Sequence, residues 1–243
     1  MCILHFTQLV CLVGCFFKLI LQIIATAAHC VLGRDSNGDQ VFPESALFIP
    51  GLDDGDGIGT NDDCSDDEHG CLAISFGLVS QDYATYDGYE TDDFSSEFKY
   101  NFDVGFFVVE GVTTTSGDTL TPLGIDFGGL TTGLEGYALG YPADYDPEFM
   151  YSLGEIQDSP ITLGKYMDCT TLGSGASGGP WLQESLLEYG YSGTSIQCIH
   201  SWIWTTEGET GAGCAPLDTG FAECLYNEAV SAALDSESMI LDC

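Results

Sequence analysis

A short glycine-rich stretch near the end of the chain holds the side chain best suited to covalent chemistry. Ser177 lies in residues 173–181, GSGASGGPW, where Gly175 and Gly178 permit backbone turns that residues with a Cβ resist. Such turns expose the Ser177 hydroxyl. They also direct the N–H groups of Gly175 and Ser177 toward one point, as an oxyanion hole requires. Taken alone, the stretch fits an ordinary loop equally well.

A serine nucleophile needs a base, and the base needs a group that orients it. His29 lies in TAAHC, residues 26–30, directly after an apolar run. Asp103 begins the apolar stretch DVGFFVV, residues 103–109, and a buried carboxylate is costly without a partner. Each residue taken separately also has an ordinary structural explanation: His29 as a packed core histidine, Asp103 as a strand-end carboxylate and Ser177 as a loop serine.

These three segments, in this order, resemble the motifs of the chymotrypsin-fold serine proteases, from about residue 14 to about residue 235. The resemblance implies that His29 is the general base, that Asp103 orients and stabilises its imidazolium, and that Ser177 attacks the scissile carbonyl. It implies an all-β protein of two antiparallel barrels with the active site between them. The first barrel would span 14–120, and the second barrel, with a short C-terminal helix, 121–243.

Composition restricts the partners that the protein can have. Lys and Arg number 4 against 38 Asp and Glu, which gives a formal net charge of −34 over 243 residues. Such a surface repels phosphate backbones and anionic lipids, so neither nucleic acid nor a membrane is an expected partner. Protein or peptide substrates and a monomeric state are expected. Eleven cysteines favour an oxidising compartment and therefore secretion, and their odd number leaves at least one outside any intrachain pair.

The apolar first 25 residues admit three interpretations: a signal peptide, a membrane span or a buried strand. The first fifteen residues carry no Lys or Arg, unlike a signal peptide. Cleavage at the one good small-x-small site, residues 25–27, would remove the strand that positions His29. We therefore favour a strand over 14–25, with 1–13 as a signal-like or non-native segment and a first barrel that lacks strands.

An acidic, glycine-rich insertion covers residues 52–70. Its carboxylates suit calcium, but the helix-loop-helix calcium pattern fails because Ile58 and Ser65 occupy ligand positions. A solvated surface loop explains the segment better, so no metal or cofactor is expected. Cys64 and Cys71 flank the insertion and can close a small loop.

The remaining elements follow from β-branched, aromatic and helical patterns. Residues 81–99 are rich in polar side chains and predict a surface loop, and 111–133 predict the connection between the barrels. The spacing of Leu225, Ala229 and Val230 predicts the C-terminal helix. The predicted strands are 71–79, 103–109, 135–144 and 150–156.

The second barrel resembles the glutamyl-endopeptidase-like branch, with a strand ending in Gly-Tyr-Pro142 and a later strand with a central glycine. Ala176 stands where the chymotrypsin branch has an Asp that captures a new N-terminus. That carboxylate is missing, so the usual zymogen switch is not expected here.

The resemblance places the pocket for the residue before the scissile bond between residues 170–174 and 196–202. No carboxylate lies near Thr171, the expected pocket base, which disfavours Lys and Arg substrates. His200 takes the position of a pocket histidine in glutamyl endopeptidases. A protonated His200, with the hydroxyls of Thr171 and Ser174, would pair with a substrate Glu or Asp. The alternative is a satisfied core histidine.

Two further residues of the pocket, Ser201 and Trp202, offer backbone groups for antiparallel pairing with a substrate. The resemblance also implies a disulfide between Cys15 and Cys30, and Cys169 and Cys198 flank the pocket as a candidate pair.

The sequence therefore predicts a secreted serine endopeptidase that works through an acyl-enzyme. The alternative is a catalytically inactive homologue that acts as a binding module because its first barrel is incomplete. A weaker alternative is an acidic calcium-binding surface protein on the same fold.

Overall fold

A computed structural model describes residues 2–4, 22–50, 70–87, 98–109, 113–117, 123–145, 149–160, 162–168, 171–183, 195–206, 209–232 and 237–243. These residues are mostly β, and they form half of one barrel and a second barrel that is nearly closed. The architecture is the predicted two-barrel, chymotrypsin-like fold.

The described strands and helices are numbered in chain order. The strands are β1 (Cys2–Leu4), β2 (Gln22–Thr26), β3 (Gly33–Arg34), β4 (Gln40–Val41), β5 (Ala46–Phe48), β6 (Leu72–Ser80), β7 (Gly105–Val109), β8 (Gly124–Ile125), β9 (Glu135–Gly140), β10 (Met150–Glu155), β11 (Gln157–Asp158), β12 (Lys165–Asp168), β13 (Pro180–Gln183), β14 (Ser195–Ile196), β15 (Cys198–Thr206), β16 (Glu209–Pro216) and β17 (Met239–Leu241). The helices are α1 (Ala28–Val31), α2 (Gln81–Asp87) and α3 (Gly220–Ser231), with 3-10 turns at Lys99–Asn101 and Ala143–Tyr145.

The first sheet has the order β1-β5-β6-β7-β2, and β17 lies parallel beside β6. Strand β2 is antiparallel to β7, with Thr26 opposite Gly105. This register brings the residues that follow β2 next to the residues that precede β7. The predicted strand 14–25 is confirmed from residue 22 onward, and β1 shows that part of the segment 1–13 pairs with β5.

Strand β7 lies at the centre of the first apolar core. All five of its residues are buried, because β2 and β6 flank it and α1 and α3 pack against it. Burying a side chain such as Phe106 or Phe107 contributes about 1.5–3 kcal/mol. Helix α3 buries Leu225 and Ala229 in the same core, as its spacing predicted, whereas Val230 is exposed. Within the described ranges, no helix has the length and apolarity needed to cross a membrane.

The second sheet has the order β10-β9-β13-β15-β16-β12-β11. Strand β13 pairs with β9 and β15, and Trp181 lies opposite Ala138 and Cys198. The glycine-rich stretch therefore ends at a central strand, and Trp181 is fully buried in the second core.

The surface loop predicted over 81–99 is wrong at both ends. Residues 81–87 form α2, and a 3-10 turn begins at Lys99. The Ser80 hydroxyl accepts a hydrogen bond from the Tyr83 N–H at 3.1 Å, which caps the helix start, and Tyr83 is buried in the first core. The burial comes from tertiary packing that the polar composition did not signal.

The disulfides differ in part from the expected ones. Cys198 bonds to Cys214 rather than to Cys169, because the adjacent strands β15 and β16 bring their Cα atoms to 5.7 Å, within bonding range. Cys30 is buried in the first core, and its implied bridge to Cys15 stays a prediction. Cys15 and Cys169 lie outside the described residues.

Two further disulfides involve the acidic insertion and the end of the chain. Cys71 is disulfide-bonded, and its candidate partner Cys64 lies outside the described residues, as does the insertion up to residue 69. Cys224 bonds to Cys243, which ties α3 to the segment that follows β17.

Candidate active site

The pairing of β2 with β7 sets His29 against Asp103. His29 lies in α1, directly after β2, and its backbone N–H donates to Asp103 Oδ1 at 2.9 Å. Its Nδ1 lies 2.7 Å from Asp103 Oδ2. The carboxylate thus holds both the backbone and the ring of His29, which leaves Nε2 as the nitrogen available to accept a proton.

Asp103 is buried, and a third donor holds it. The Ser201 hydroxyl donates to Oδ2 at 2.5 Å. Burial by itself raises the pKa of the carboxyl group, but the adjacent His29, the Ser201 hydroxyl and the His29 backbone N–H outweigh it and leave the pKa below its usual value. Asp103 is therefore an anion at neutral pH.

The role of the Ser201 hydroxyl was missed in the sequence analysis, which used only the backbone of this residue. Ser201 lies 98 positions from Asp103 and on the other sheet. Only the packing of β15 against the first barrel brings the two together, so no local pattern signals the contact.

The backbone of the glycine-rich stretch leaves two N–H groups open. The N–H groups of Ala176, Gly178 and Gly179 donate to Gly173 O, His200 O and Ala176 O. Those of Gly175 and Ser177 donate to no acceptor within the described part of the chain. This alternation of bonded and open N–H groups accompanies positive φ angles at Gly175 and Gly178, 93° and 85°, and the oxyanion hole itself stays a prediction.

Contacts with neighbouring segments hold this loop in place. The Ala143 N–H donates to Ser174 O at 2.7 Å, and His200 N–H donates to Gly179 O at 2.8 Å. Ala176 is fully buried, and these contacts preorganise the loop.

Ser177 and His29 line one cleft of about 330 Å³. The Ser177 hydroxyl makes no hydrogen bond within the described part of the chain, and such contacts often tighten only when substrate binds. The other lining residues are Tyr100, Gly173, Ser174, Gly175, His200, Ser201, Trp202 and Ile203.

Four of the five expected substrate-binding residues, Ser174, His200, Ser201 and Trp202, lie in this cleft. Thr171 does not line it: its hydroxyl donates to Tyr151 O at 3.2 Å and contacts the Ser152 hydroxyl. The hydroxyl of Thr171 is therefore engaged by other residues and does not face the cleft.

His200 is held by a residue that the sequence analysis did not select. The Trp181 indole N–H donates to His200 Nδ1 at 3.3 Å, and both side chains are buried. Burial, followed by the proximity of His29, lowers the pKa of His200 to about 4, although Asp103 opposes the shift. His200 is therefore neutral at physiological pH, in contrast to the protonated His200 expected from the resemblance.

The buried His200 predicts a specific loss of stability in acid. Its pKa is about 4 in the folded chain, against 6.5 when unperturbed, so the unfolded chain binds more protons between these values. Above about pH 6.5, His200 is neutral in both the folded and the unfolded chain, and its contribution to the free energy of unfolding is complete. As the pH falls toward 4, this contribution is lost, and the total loss is about 3 kcal/mol. Urea unfolding at pH 7 and pH 4.5 should show a smaller decline for His200→Gln than for the wild type. An equal decline in both proteins contradicts the prediction.

No group of three or more His, Cys, Asp or Glu side chains is placed to hold a metal ion among the residues described. The acidic insertion, where calcium was considered, lies outside that part of the chain up to residue 69.

Three solved structures were compared with the chain. The protease Anisep from Arthrobacter nicotinovorans aligns at a TM-score of 0.61 and 17% identity, over 90% of this chain and 87% of that one. A Glu endopeptidase aligns at 0.62 and 16%, over 95% and 90%. A mutant of human heparin binding protein (CAP37) aligns at 0.57 and 11%, over 96% and 92%.

No protein-family model and no curated protein matches the sequence. The three structures are chymotrypsin-fold proteins, and the chain shares that fold with them over nearly its whole length. At these identities the similarity shows the fold alone.

Proposed function

We propose that this protein is a secreted serine endopeptidase that cleaves peptide bonds through an acyl-enzyme. The observation that carries the proposal is the Asp103–His29 pair, with Nδ1 and Oδ2 2.7 Å apart, in the same cleft as Ser177. The fold of the compared proteases supports it.

In the first half of the reaction, Ser177 Oγ attacks the scissile carbonyl and its proton passes to His29 Nε2. The N–H groups of Gly175 and Ser177 stabilise the oxyanion. His29 then gives the proton to the leaving amine, and Asp103 stabilises the imidazolium in between. In the second half, water attacks the ester carbonyl and gives its proton to His29, which passes it to Ser177 Oγ as the carboxylic acid product leaves.

Secretion is supported by the disulfides Cys198–Cys214 and Cys224–Cys243, which persist in oxidising compartments. The net charge of −34 argues against nucleic acid as a partner, and we propose peptide or protein substrates and a monomer. We do not extend the proposal to a preference for Glu or Asp, since that preference was expected from a protonated His200.

Labelling with a fluorophosphonate probe tests the proposal, because the probe reacts with an activated serine. The wild type should be labelled, the Ser177→Ala variant should not, and Ser231→Ala should be labelled like the wild type. Ser231 is an exposed serine in α3 whose hydroxyl donates to Glu228 O. Failure to label a folded wild type would favour the inactive binding module.

A further inference from the structure

The hydrogen bond between Trp181 and His200 fixes the proton on the imidazole. An indole nitrogen only donates, so His200 Nδ1, 3.3 Å away, must present its lone pair. The single ring proton of the neutral imidazole then lies on Nε2. A second proton on Nδ1 would set two N–H groups against each other in a buried site, so the contact itself opposes an imidazolium.

Of the two ring nitrogens of His200, Nε2 is the one that can contact a ligand. His200 lines the cleft, and Nε2 has no hydrogen-bond partner among the described residues. The fully buried side-chain atoms without a partner in that part of the chain are Thr26 Oγ1, Gln197 Oε1 and Trp202 Nε1. Nε2 is not one of them, so it is open to the cleft as a neutral N–H donor.

No cation lines the cleft among the described residues. Arg34 donates to Gly38 O, and Lys165 pairs with Asp158 at 2.6 Å. Lys99 lies 5.6 Å from the centroid of the Tyr100 ring and does not line the cleft. A substrate carboxylate would therefore lose its hydration without gaining an opposite charge, on a protein of net charge −34.

Building on the proposed function, we propose that the pocket beside His200 selects an uncharged side chain that accepts a hydrogen bond, above all glutamine, over glutamate. The glutamine carbonyl oxygen accepts from His200 Nε2–H, and the Ser174 hydroxyl in the same cleft can accept from the amide NH₂. Trp181 is a positioning residue, because it acts through His200. The low pKa of His200, about 4, agrees with this assignment.

The direct test is a pair of peptides that differ only in Gln or Glu before the cleaved bond. At pH 7.5 we expect kcat/KM for the Gln peptide to exceed that for the Glu peptide by about tenfold or more, which corresponds to about 1.4 kcal/mol. Equal rates, or faster cleavage of the Glu peptide, would overturn the inference.

Trp181→Phe removes the indole N–H and keeps an aromatic ring in the core. The tautomer of His200 is then no longer fixed, and Nε2 can lose the N–H that the glutamine carbonyl needs. The rate for the Gln peptide should therefore fall, and with it the Gln-to-Glu ratio, to about threefold or less at pH 7.5. Tyr226→Phe, an aromatic exchange on α3 outside the cleft, should leave the ratio unchanged. A ratio that Trp181→Phe does not alter argues against the positioning role.

Two measurements keep the test independent of turnover. Nitrogen NMR of the wild type should show a neutral His200 with its proton on Nε2 from pH 8 to pH 5, and an imidazolium at pH 6 would overturn the inference. If the fluorophosphonate probe does not label the protein, the proposed activity fails separately. Binding of the same two peptides to Ser177→Ala then decides the preference, with about tenfold tighter binding of the Gln peptide expected.

Discussion

Replacing Asp103 with asparagine is expected to lower kcat/KM for a peptide substrate by about 10⁴-fold while the chain stays folded. Asp103 Oδ1 accepts from the His29 backbone N–H, and Oδ2 lies 2.7 Å from Nδ1 of the same residue. An asparagine side chain has a single oxygen, so it can replace only one of these two acceptor atoms. If its oxygen stays on the backbone N–H, its NH₂ group faces Nδ1.

The asparagine then forces His29 into the wrong tautomer. Facing an NH₂ donor, Nδ1 becomes an acceptor and the ring proton moves to Nε2, which can no longer take the proton of Ser177. The Ser201 hydroxyl, which donates to Oδ2 at 2.5 Å, loses its charged acceptor as well. The loss should therefore appear mainly in kcat, since substrate contacts are unchanged.

Asp82→Asn provides the matched control, because it makes the same exchange at an exposed carboxylate in α2. We expect wild-type kcat/KM for this variant and unchanged circular dichroism for both. If Asp103→Asn retained activity within tenfold of the wild type, Asp103 would not be the group that orients His29.

The sequence predicted those residues of the site that lie in recognisable local motifs. His29, Asp103 and Ser177 each lie in a short motif of their own, and the order of the three motifs along the chain indicated that they act together. The pairing of β2 with β7 then follows from two apolar strands that must bury both faces. The two-barrel fold was predicted from the resemblance that these motifs carry, and not from the strands themselves.

The contacts that the sequence did not predict depend on residues far apart in the chain. Trp181 was read as the end of a glycine-rich loop, yet β13 and β15 place its indole on His200. Cys198 finds Cys214 only because β15 and β16 are neighbours. The charge state of His200 could not be read from its position in a motif, since it depends on a buried donor on another strand.

Gly175→Ala is expected to reduce kcat by about 10²–10³-fold with little change in KM, because one donor of the oxyanion hole would be displaced. Gly175 has a φ of 93°, and a Cβ built there would lie 2.9 Å from Ala143 N and 3.1 Å from Tyr141 O. These are backbone atoms, so the glycine-rich loop must move instead. Ser174 O, which accepts from the Ala143 N–H, belongs to the same peptide group as the Gly175 N–H, so a shift of the loop away from Ala143 turns that N–H as well.

Gly133→Ala separates backbone strain from loss of the donor. Gly133 has a φ of 83°, and a Cβ there meets no atom within 4 Å. An alanine at position 133 therefore has the same unfavourable backbone angle as one at position 175, which costs about 1–2 kcal/mol of stability, but it does not touch the cleft. Gly175→Ala should lose at least as much stability in urea unfolding as Gly133→Ala, since its Cβ also meets backbone atoms, and only Gly175→Ala should lose turnover. Full turnover by Gly175→Ala would mean that the open N–H groups of this loop do not hold the oxyanion. The Ser177 reaction would then depend on His29 and Asp103 alone.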